Sequence, residues 1–294
     1  MAEVTASMVM DLRSRTGLPM MECKKALQET GGDIAKAEDL LRIKSGARAS
    51  KTAGRIAAEG VIGLWVTSDA KTGAMVEINC ETDFVARNEE FKAFATEVAE
   101  VVACDGPPDL TALERSQLRS GQTIEARRTA LVQKIGENMS IRRFVRREAK
   151  GKLASYVHGV KIGALIDVSS ADPQLGKELA MHIAALKPQA VDKSQVPAET
   201  VAKEREIAAA QVAEDGKTGE MATKIIEGKV NKAVAAMTLL GQAFVKGDGK
   251  QTVEQLLKAK GATVHAFTLY VVGEGIERKK DDFAAEVAAM AKSA

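Results

Sequence analysis

Apolar positions in the first 45 residues recur at helical spacing and are interrupted by helix-breaking residues. Pro19 can open the second helical segment, which stops at the pair Gly31-Gly32, and Asp33 can cap a third. This pattern predicts a compact module of three short helices. The basic stretch 46–56 then alternates charge with Gly, Ala and Ser and loses the apolar period, which favours a mobile or loosely helical linker.

Two β-hairpins follow, and each leads into a helical pattern. The first hairpin covers 61–80 and the second covers 155–169. The run 73–79, Gly-Ala-Met-Val-Glu-Ile-Asn, matches the run 163–169, Gly-Ala-Leu-Ile-Asp-Val-Ser, by identity or similarity at every position. Because a helix is expected after both copies, we interpret the match as an internal duplication of a hairpin-helix unit.

The segment 197–244 is long, helical in its period and heavily charged, and 214–219 interrupts it as a loop would. This pattern is typical of a protruding antiparallel coiled-coil hairpin. A strand at 264–272 and a last helix at 282–292 complete the pattern. Together these elements predict a multidomain α+β fold. The expected divisions are a three-helix module at 1–45, a basic linker at 46–56, one core subdomain at 57–148, a second at 149–196 and 245–275, the coiled-coil hairpin at 197–244 and a C-terminal helical module at 276–294.

Composition and charge narrow the classes of function. The 42 basic and 40 acidic side chains nearly cancel, so the chain lacks the basic excess of a general nucleic-acid binder. Cys23, Cys80 and Cys104 are odd in number and have no metal-ligand spacing, which favours a reducing compartment. Neither a signal peptide nor an apolar run long enough for a bilayer is visible, so we expect a cytoplasmic protein with no membrane partner.

No catalytic pattern emerges from the chemistry-bearing residues. The three histidines, His158, His182 and His265, belong to no metal-binding motif. The run Gly216-Lys217-Thr218 ends like a phosphate-binding loop, but Gln211 stands where that loop needs glycine. We therefore expect a protein without enzymatic activity, cofactor or metal, which acts by binding another protein and makes no direct contact with nucleic acid.

One short segment departs from these patterns at the point where the first hairpin leads into a helix. Phe84 stands beside Asp83 and close to Arg87, so its ring could be exposed. Alternatively, Asp83 caps the helix and Phe84 packs beneath it as a hydrophobic staple. The residue pattern leaves both interpretations open.

The run 77–87, Glu-Ile-Asn-Cys-Glu-Thr-Asp-Phe-Val-Ala-Arg, resembles the signature of the bacterial elongation factor Ts family. Further runs resemble the family along essentially the whole chain, at 12–17, 20–27, 134–138, 181–185 and 272–277. The resemblance implies a guanine-nucleotide exchange factor for the GTPase elongation factor Tu. It also implies that the N-terminal module is ubiquitin-associated-like.

The resemblance assigns the exchange activity to Thr82, Asp83, Phe84 and Val85. In the family, the aromatic side chain enters the GTPase near its magnesium ion, displaces the ion and weakens GDP binding. This is physically reasonable because Mg²⁺ is one of the largest local charges in such a site. Secondary partner contacts are implied at Leu12, Met20, Met21 and His158. A homodimer and a 2:2 complex with elongation factor Tu both stay open.

An RNA- or ribosome-binding protein is the main alternative class. The run 142–147, Arg-Arg-Phe-Val-Arg-Arg, is basic and carries an aromatic residue. In a predicted strand, however, paired arginines are more often solvated or paired with acids such as Glu148. RNA binding that depends strongly on salt and leaves GDP release unchanged would favour this class. An enzyme with a site assembled from distant residues is the third class.

Overall fold

The structure is a computed structural model that describes residues 4–170, 172–247 and 249–277. It alternates helices with two antiparallel three-stranded sheets, a mixed architecture consistent with the expected α+β class. The helices are α1 (Ala6–Thr16), α2 (Met20–Glu29), α3 (Ile34–Thr52), α4 (Asp83–Ala86), α5 (Glu89–Asp105), α6 (Leu110–Arg115), α7 (Ile124–Ile135), α8 (Pro173–Leu186), α9 (Ala198–Glu214), α10 (Gly219–Met237) and α11 (Val253–Lys260). The strands are β1 (Glu59–Val66), β2 (Thr72–Cys80), β3 (Met139–Glu148), β4 (Lys152–His158), β5 (Ile162–Val168) and β6 (Val264–Val271).

Helices α1, α2 and α3 enclose a small core of their own, as the N-terminal pattern predicts. Leu12, Cys23 and Leu27 are fully buried in it. The Asp33 side chain accepts a hydrogen bond from the backbone N–H of Lys36 and caps α3, which satisfies one of the unpaired donors of its first turn.

Helix α3 continues into the segment for which the sequence favours a linker. It ends at Thr52, so most of the predicted linker 46–56 is helical. Arg48 forms an ion pair with Glu22 of α2 at 2.7 Å, and Ala49 is buried where α3 packs against α7. The basic residue Arg48 and the small residue Ala49 therefore make contacts between α3 and the helices α2 and α7. These contacts extend the helix beyond the point where the apolar period is lost.

The first sheet has the strand order β1-β2-β3, and α5 packs on β1 and β2. The predicted hairpin is confirmed, with Val61 opposite Ile78 in the register. Phe91 and Phe94 of α5 are fully buried against the sheet. At Gly63 the backbone of α5 comes so close to β1 that a Cβ atom would overlap the carbonyl oxygen of Ala95.

The second sheet has the order β4-β5-β6, with α8 packed on β4 and β5. The predicted cap at Asp172 and the first-turn Pro173 open α8. The two matched runs of the sequence, 73–79 and 163–169, fall on the middle strands β2 and β5, with Ser169 directly after β5. The matched letters thus occupy equivalent places in two similar hairpin-helix units.

The two sheets pack through an apolar cluster that includes Met75 of β2 and Leu165 of β5, and Glu77 of β2, whose side chain is completely buried, lies at the same junction. Its carboxylate binds Arg142 at 3.0 Å and Arg143 at 2.6 Å, and it accepts a hydrogen bond from the backbone N–H of Gly273 at 2.8 Å. Burial alone would raise the pKa of Glu77, but the Gly273 N–H and the two guanidinium groups outweigh it and lower the pKa. The buried carboxylate is therefore ionised and joins the sheets across the junction.

Helices α9 and α10 form the predicted antiparallel hairpin. They contact each other through a narrow apolar seam, which includes Ala208 and Val230. Ile207 and Met221 remain exposed on its surface. The last predicted helix, 282–292, lies outside the described residues.

Candidate functional site

The segment that joins β2 to α5 forms a single helical turn, α4, with its aromatic residue on the outside. The Thr82 hydroxyl accepts a hydrogen bond from the backbone N–H of Val85 at 3.4 Å and caps the turn. Phe84 is 82% exposed, the highest value for a large apolar side chain among the described residues. The alternative in which Asp83 is the cap and Phe84 a buried staple is therefore wrong.

The four residues expected to form the tip have different environments. Val85 is 7% exposed and joins the core of the first sheet. Its side chain anchors the turn, and the structure does not present it to a partner. Asp83 forms an exposed ion pair with Arg87 at 3.0 Å. Such a pair contributes little to stability, so both charged groups are available for other contacts.

The opposite side of the turn is braced by Glu137, which lies between α7 and β3. Its carboxylate accepts hydrogen bonds from the backbone N–H groups of Glu81 at 3.1 Å and Thr82 at 3.0 Å. It also accepts one from the Thr82 hydroxyl at 2.6 Å. The Glu81 carboxylate in turn accepts a bond from the backbone N–H of Asn138 at 2.6 Å. Two adjacent chain segments therefore hold each other through reciprocal carboxylate bonds.

The sequence reasoning did not identify Glu137 as part of the site. Thr82 and Glu137 are 55 positions apart, and no local pattern connects them. The available signal was the run 134–138, which resembles the same family as the tip does. Glu81, directly after β2, takes part in the same set of bonds.

The thiol of Cys80 is buried directly behind the turn. Burial, reinforced by the negative charges of Glu137 and Glu59, raises its pKa to about 12. The neutral thiol donates a hydrogen bond to the carbonyl oxygen of Thr82 at 3.2 Å. The thiolate is the nucleophilic form of cysteine, and the raised pKa keeps Cys80 in the thiol form. We therefore interpret Cys80 as a structural residue.

The residues expected to make secondary partner contacts lie on separate elements. Met20 and Met21, at the start of α2, are 43% and 63% exposed, so neither is a core residue. His158 is exposed at the end of β4, with its Nδ1 atom 3.1 Å from the Tyr156 hydroxyl. Leu12 has no exposed surface at all. Its prediction as a contact residue is corrected accordingly, because its side chain packs inside the three-helix core.

The basic strand β3 uses its arginines within the molecule. Arg142 and Arg143 bind Glu77, as described above. Arg146 pairs with Glu148 at 2.6 Å, as the sequence suggests, and Arg147 donates to the Thr268 hydroxyl at 3.1 Å. Three of these four arginines therefore pair with acids of the same molecule, and Arg147 bonds to a hydroxyl.

Two further properties hold for the part of the chain that the structure describes. No cluster of three or more His, Cys, Asp or Glu side chains there has an arrangement that could hold a metal ion. Among the helices of the described ranges, none combines the length and hydropathy that crossing a membrane requires.

Fold and site together define a mixed helix-and-sheet protein that presents one exposed aromatic side chain on a braced strand-helix junction. The family model of elongation factor TS matches residues 81–274. The chain is 57% identical to elongation factor Ts of Nitrosomonas eutropha over 289 residues, which covers 98% of both chains. It is 58% identical to that of an Azoarcus species over 295 residues, covering 100% of this chain and 99% of the relative. The chain therefore belongs to the elongation factor Ts family, a family of translation elongation factors.

Proposed function

We propose that this chain is a guanine-nucleotide exchange factor that binds elongation factor Tu in its GDP form. It displaces Mg²⁺ from the nucleotide site of that GTPase and promotes GDP release, so that GTP can bind. It supplies no catalytic chemistry of its own and acts in the cytoplasm during translation elongation. The observation that carries this proposal is Phe84, 82% exposed on a turn whose neighbours are fixed.

An exposed phenyl ring is unfavourable in water and gains free energy when a partner buries it. Full burial of such a side chain contributes about 1.5–3 kcal/mol. If Phe84 enters the GTPase near Mg²⁺, part of this gain offsets the loss of the ion from the diphosphate. Because binding free energies are reciprocal, the factor weakens GDP binding by the same ratio by which GDP weakens binding of the factor.

The surfaces around the tip extend this proposal. Asp83 exchanges its exposed partner Arg87 for groups of the GTPase. Met20 and Met21 of the ubiquitin-associated-like module make a second contact, since flexible thioethers adapt to a partner surface. His158 contacts another domain of the GTPase. The two hairpin-helix units are then core subdomains that hold these surfaces at fixed separation, with the coiled coil at 197–244 as a separate projection.

Release of a fluorescent GDP derivative from purified elongation factor Tu tests the proposal. The wild-type chain should accelerate release, and Phe84→Ala should lose at least about tenfold of the acceleration, equal to about 1.4 kcal/mol, because it lacks the entering ring. Met221→Ala is the matched control, since Met221 is also an exposed apolar residue, at 68%. Equal acceleration by wild type and Phe84→Ala would exclude the role of Phe84. Absence of acceleration by the wild type would refute the function.

The RNA-binding alternative receives less support. The arginines of β3 are bound to acids, carbonyl groups and a hydroxyl of the same molecule. Releasing Arg142 and Arg143 for phosphate would break their bonds to the buried Glu77 carboxylate. The exchange proposal needs no such rearrangement.

A further inference from the structure

We propose that Glu137 is a positioning residue for nucleotide exchange, because it fixes the turn that carries Phe84. This inference rests on the proposed function of the tip. The carboxylate of Glu137 acts where the chain enters the turn. It binds three groups at the start of the turn, namely the N–H of Glu81, the N–H of Thr82 and the hydroxyl of Thr82.

The turn needs external support because α4 has only four residues. A single helical turn does not form a stable helix by itself, since fixing its backbone angles is opposed by entropy and gains very few internal bonds. Burial of Val85 anchors one side of the turn. The bonds to Glu137 anchor the chain where it enters the turn, which leaves Phe84 between two fixed points.

The Thr82 hydroxyl connects the two anchors. It accepts a hydrogen bond from the N–H of Val85 and donates its single proton to Glu137. A hydroxyl group has one donor and two acceptor positions, so these bonds define its orientation. The carboxylate is thereby connected through Thr82 to the backbone of the residue directly after Phe84.

Glu137 is itself held in place. Helix α7 ends at Ile135, and Gly136 caps it with a φ of 91°, which turns the chain towards the tip. The next residue but one, Asn138, donates its backbone N–H to the Glu81 carboxylate and its side-chain amide to the carbonyl of Arg55. The carboxylate of Glu137 therefore lies on a loop whose position is fixed on both sides.

The kinetic test separates positioning from general stability. Glu137→Ala, if Glu137 positions the tip, lowers the maximal rate of GDP release at saturating factor by about tenfold, since three bonds to a charged acceptor are lost. The half-saturating concentration changes far less, because the other contact surfaces remain. Glu148→Ala is the control, since it removes the same charge from an exposed ion pair with Arg146. A folded Glu137→Ala protein with the wild-type maximal rate overturns the proposal.

Two conservative changes keep the test informative if Glu137→Ala does not fold. Glu137→Gln retains the length of the side chain but loses one acceptor, and we expect a reduction of about threefold in the maximal rate. Thr82→Val removes the hydroxyl that donates to Glu137 and should lower the maximal rate as Glu137→Ala does. A wild-type rate for both Glu137→Gln and Thr82→Val overturns the proposal.

A double-mutant comparison tests whether Glu137 acts through Phe84. If it does, adding Glu137→Ala to Phe84→Ala causes no further loss, because the positioned group is already gone. An additional loss of the full tenfold would show an independent contribution and contradict the proposal.

Amide hydrogen exchange in the free protein tests the brace without the GTPase. Glu137→Ala should speed exchange of the Thr82 amide by about tenfold or more, while the amide of Ile78 within β2 stays unchanged. Unchanged exchange at Thr82 overturns the brace, whatever the release assay shows. If the wild-type protein does not accelerate GDP release from the GTPase, the proposed function is refuted and the positioning role with it. The amide result would then still show whether the brace exists.

Discussion

The buried carboxylate of Glu77 bonds to two arginines of β3 and to the backbone after β6, and Glu77→Ala should destabilise the junction between the two sheets strongly. The substitution removes the acceptor for Arg142, Arg143 and the N–H of Gly273, which lie at 2.6–3.0 Å. The alanine would leave these donors facing space that the carboxylate had filled. Polar groups left without partners are costly in a buried junction.

The expected magnitude follows from the exposure of the partners. Removing one member of a buried ion pair typically costs about 3–5 kcal/mol. Arg142 and Arg143 are 28% and 32% exposed, so water can partly solvate them after the change. The free energy of unfolding should therefore fall by about 3 kcal/mol, at the lower end of that range.

Urea unfolding followed by the fluorescence of Trp65, the single tryptophan, measures this change. Trp65 lies in β1 and packs against the core of the first sheet. With a slope of about 2 kcal/mol/M, a loss of about 3 kcal/mol lowers the midpoint by about 1.5 M. Glu148→Ala, which breaks only an exposed pair, should change stability by less than about 0.5 kcal/mol.

A loss below about 1 kcal/mol, with an unchanged slope, would refute the reasoning. It would mean that the two guanidinium groups and the N–H of Gly273 find equivalent partners in water or elsewhere in the protein. The carboxylate would then fill space at the junction without holding the sheets together.

Three further predictions follow from buried groups and close contacts. The pKa of Glu77 in the folded protein lies below its ordinary value of 4.5. The ionised carboxylate therefore stabilises the fold fully above pH 4.5, and this stabilisation is lost as the pH falls through the folded pKa. Glu77→Gln should remove this part of the pH dependence in acid unfolding. In thermal melts, Gly63→Ala should cost about 1–3 kcal/mol by overlap with α5, whereas Gly228→Ala, in open space on α10, should stabilise by about 0.5–1 kcal/mol. Leu12→Ala should lower the free energy of unfolding of the N-terminal module by about 2–5 kcal/mol, measured by amide hydrogen exchange. Met21→Ala should leave this stability unchanged and weaken binding to the GTPase, measured by titration.

Elements with strong local signals could be predicted from the sequence. The hairpin around 61–80 follows from its β-forming residues and its turn, and both appear in the register of β1 and β2. The cap Asp172 and the following Pro173 define the start of α8 by the same local chemistry. In each case the deciding interactions lie within a few residues along the chain.

Elements that depend on distant contacts were harder to predict. Helix α3 extends to Thr52 because Arg48 and Ala49 find partners on α2 and α7. Likewise, Glu137 becomes part of the site only when α7 brings it to Thr82. The pattern of apolar and polar residues contains no information on such pairings, because the two partners lie far apart in the chain and no local motif marks either of them.

The resemblance to a family points to one segment but does not separate its exposed residues from its buried ones. Leu12, Met20 and Met21 were grouped as contact residues, yet their exposure differs completely. Leu12 lies on the inner face of α1, whereas the methionines begin α2 at the surface. The exposed face of a short helix depends on how the helices of the module pack, and that packing requires coordinates.

The tip shows the same division on a scale of four residues. Val85 and Ala86 are buried in the core, while Phe84, directly before them, is 82% exposed. A phenyl ring on a flexible loop would lose backbone freedom on binding, and that loss would weaken association with the partner. Here Thr82 and Glu137 have already ordered the backbone, so the ring has only its own side-chain rotations to lose. The turn is thus held on both sides of Phe84 while its ring stays exposed, which is the arrangement that the exchange proposal requires.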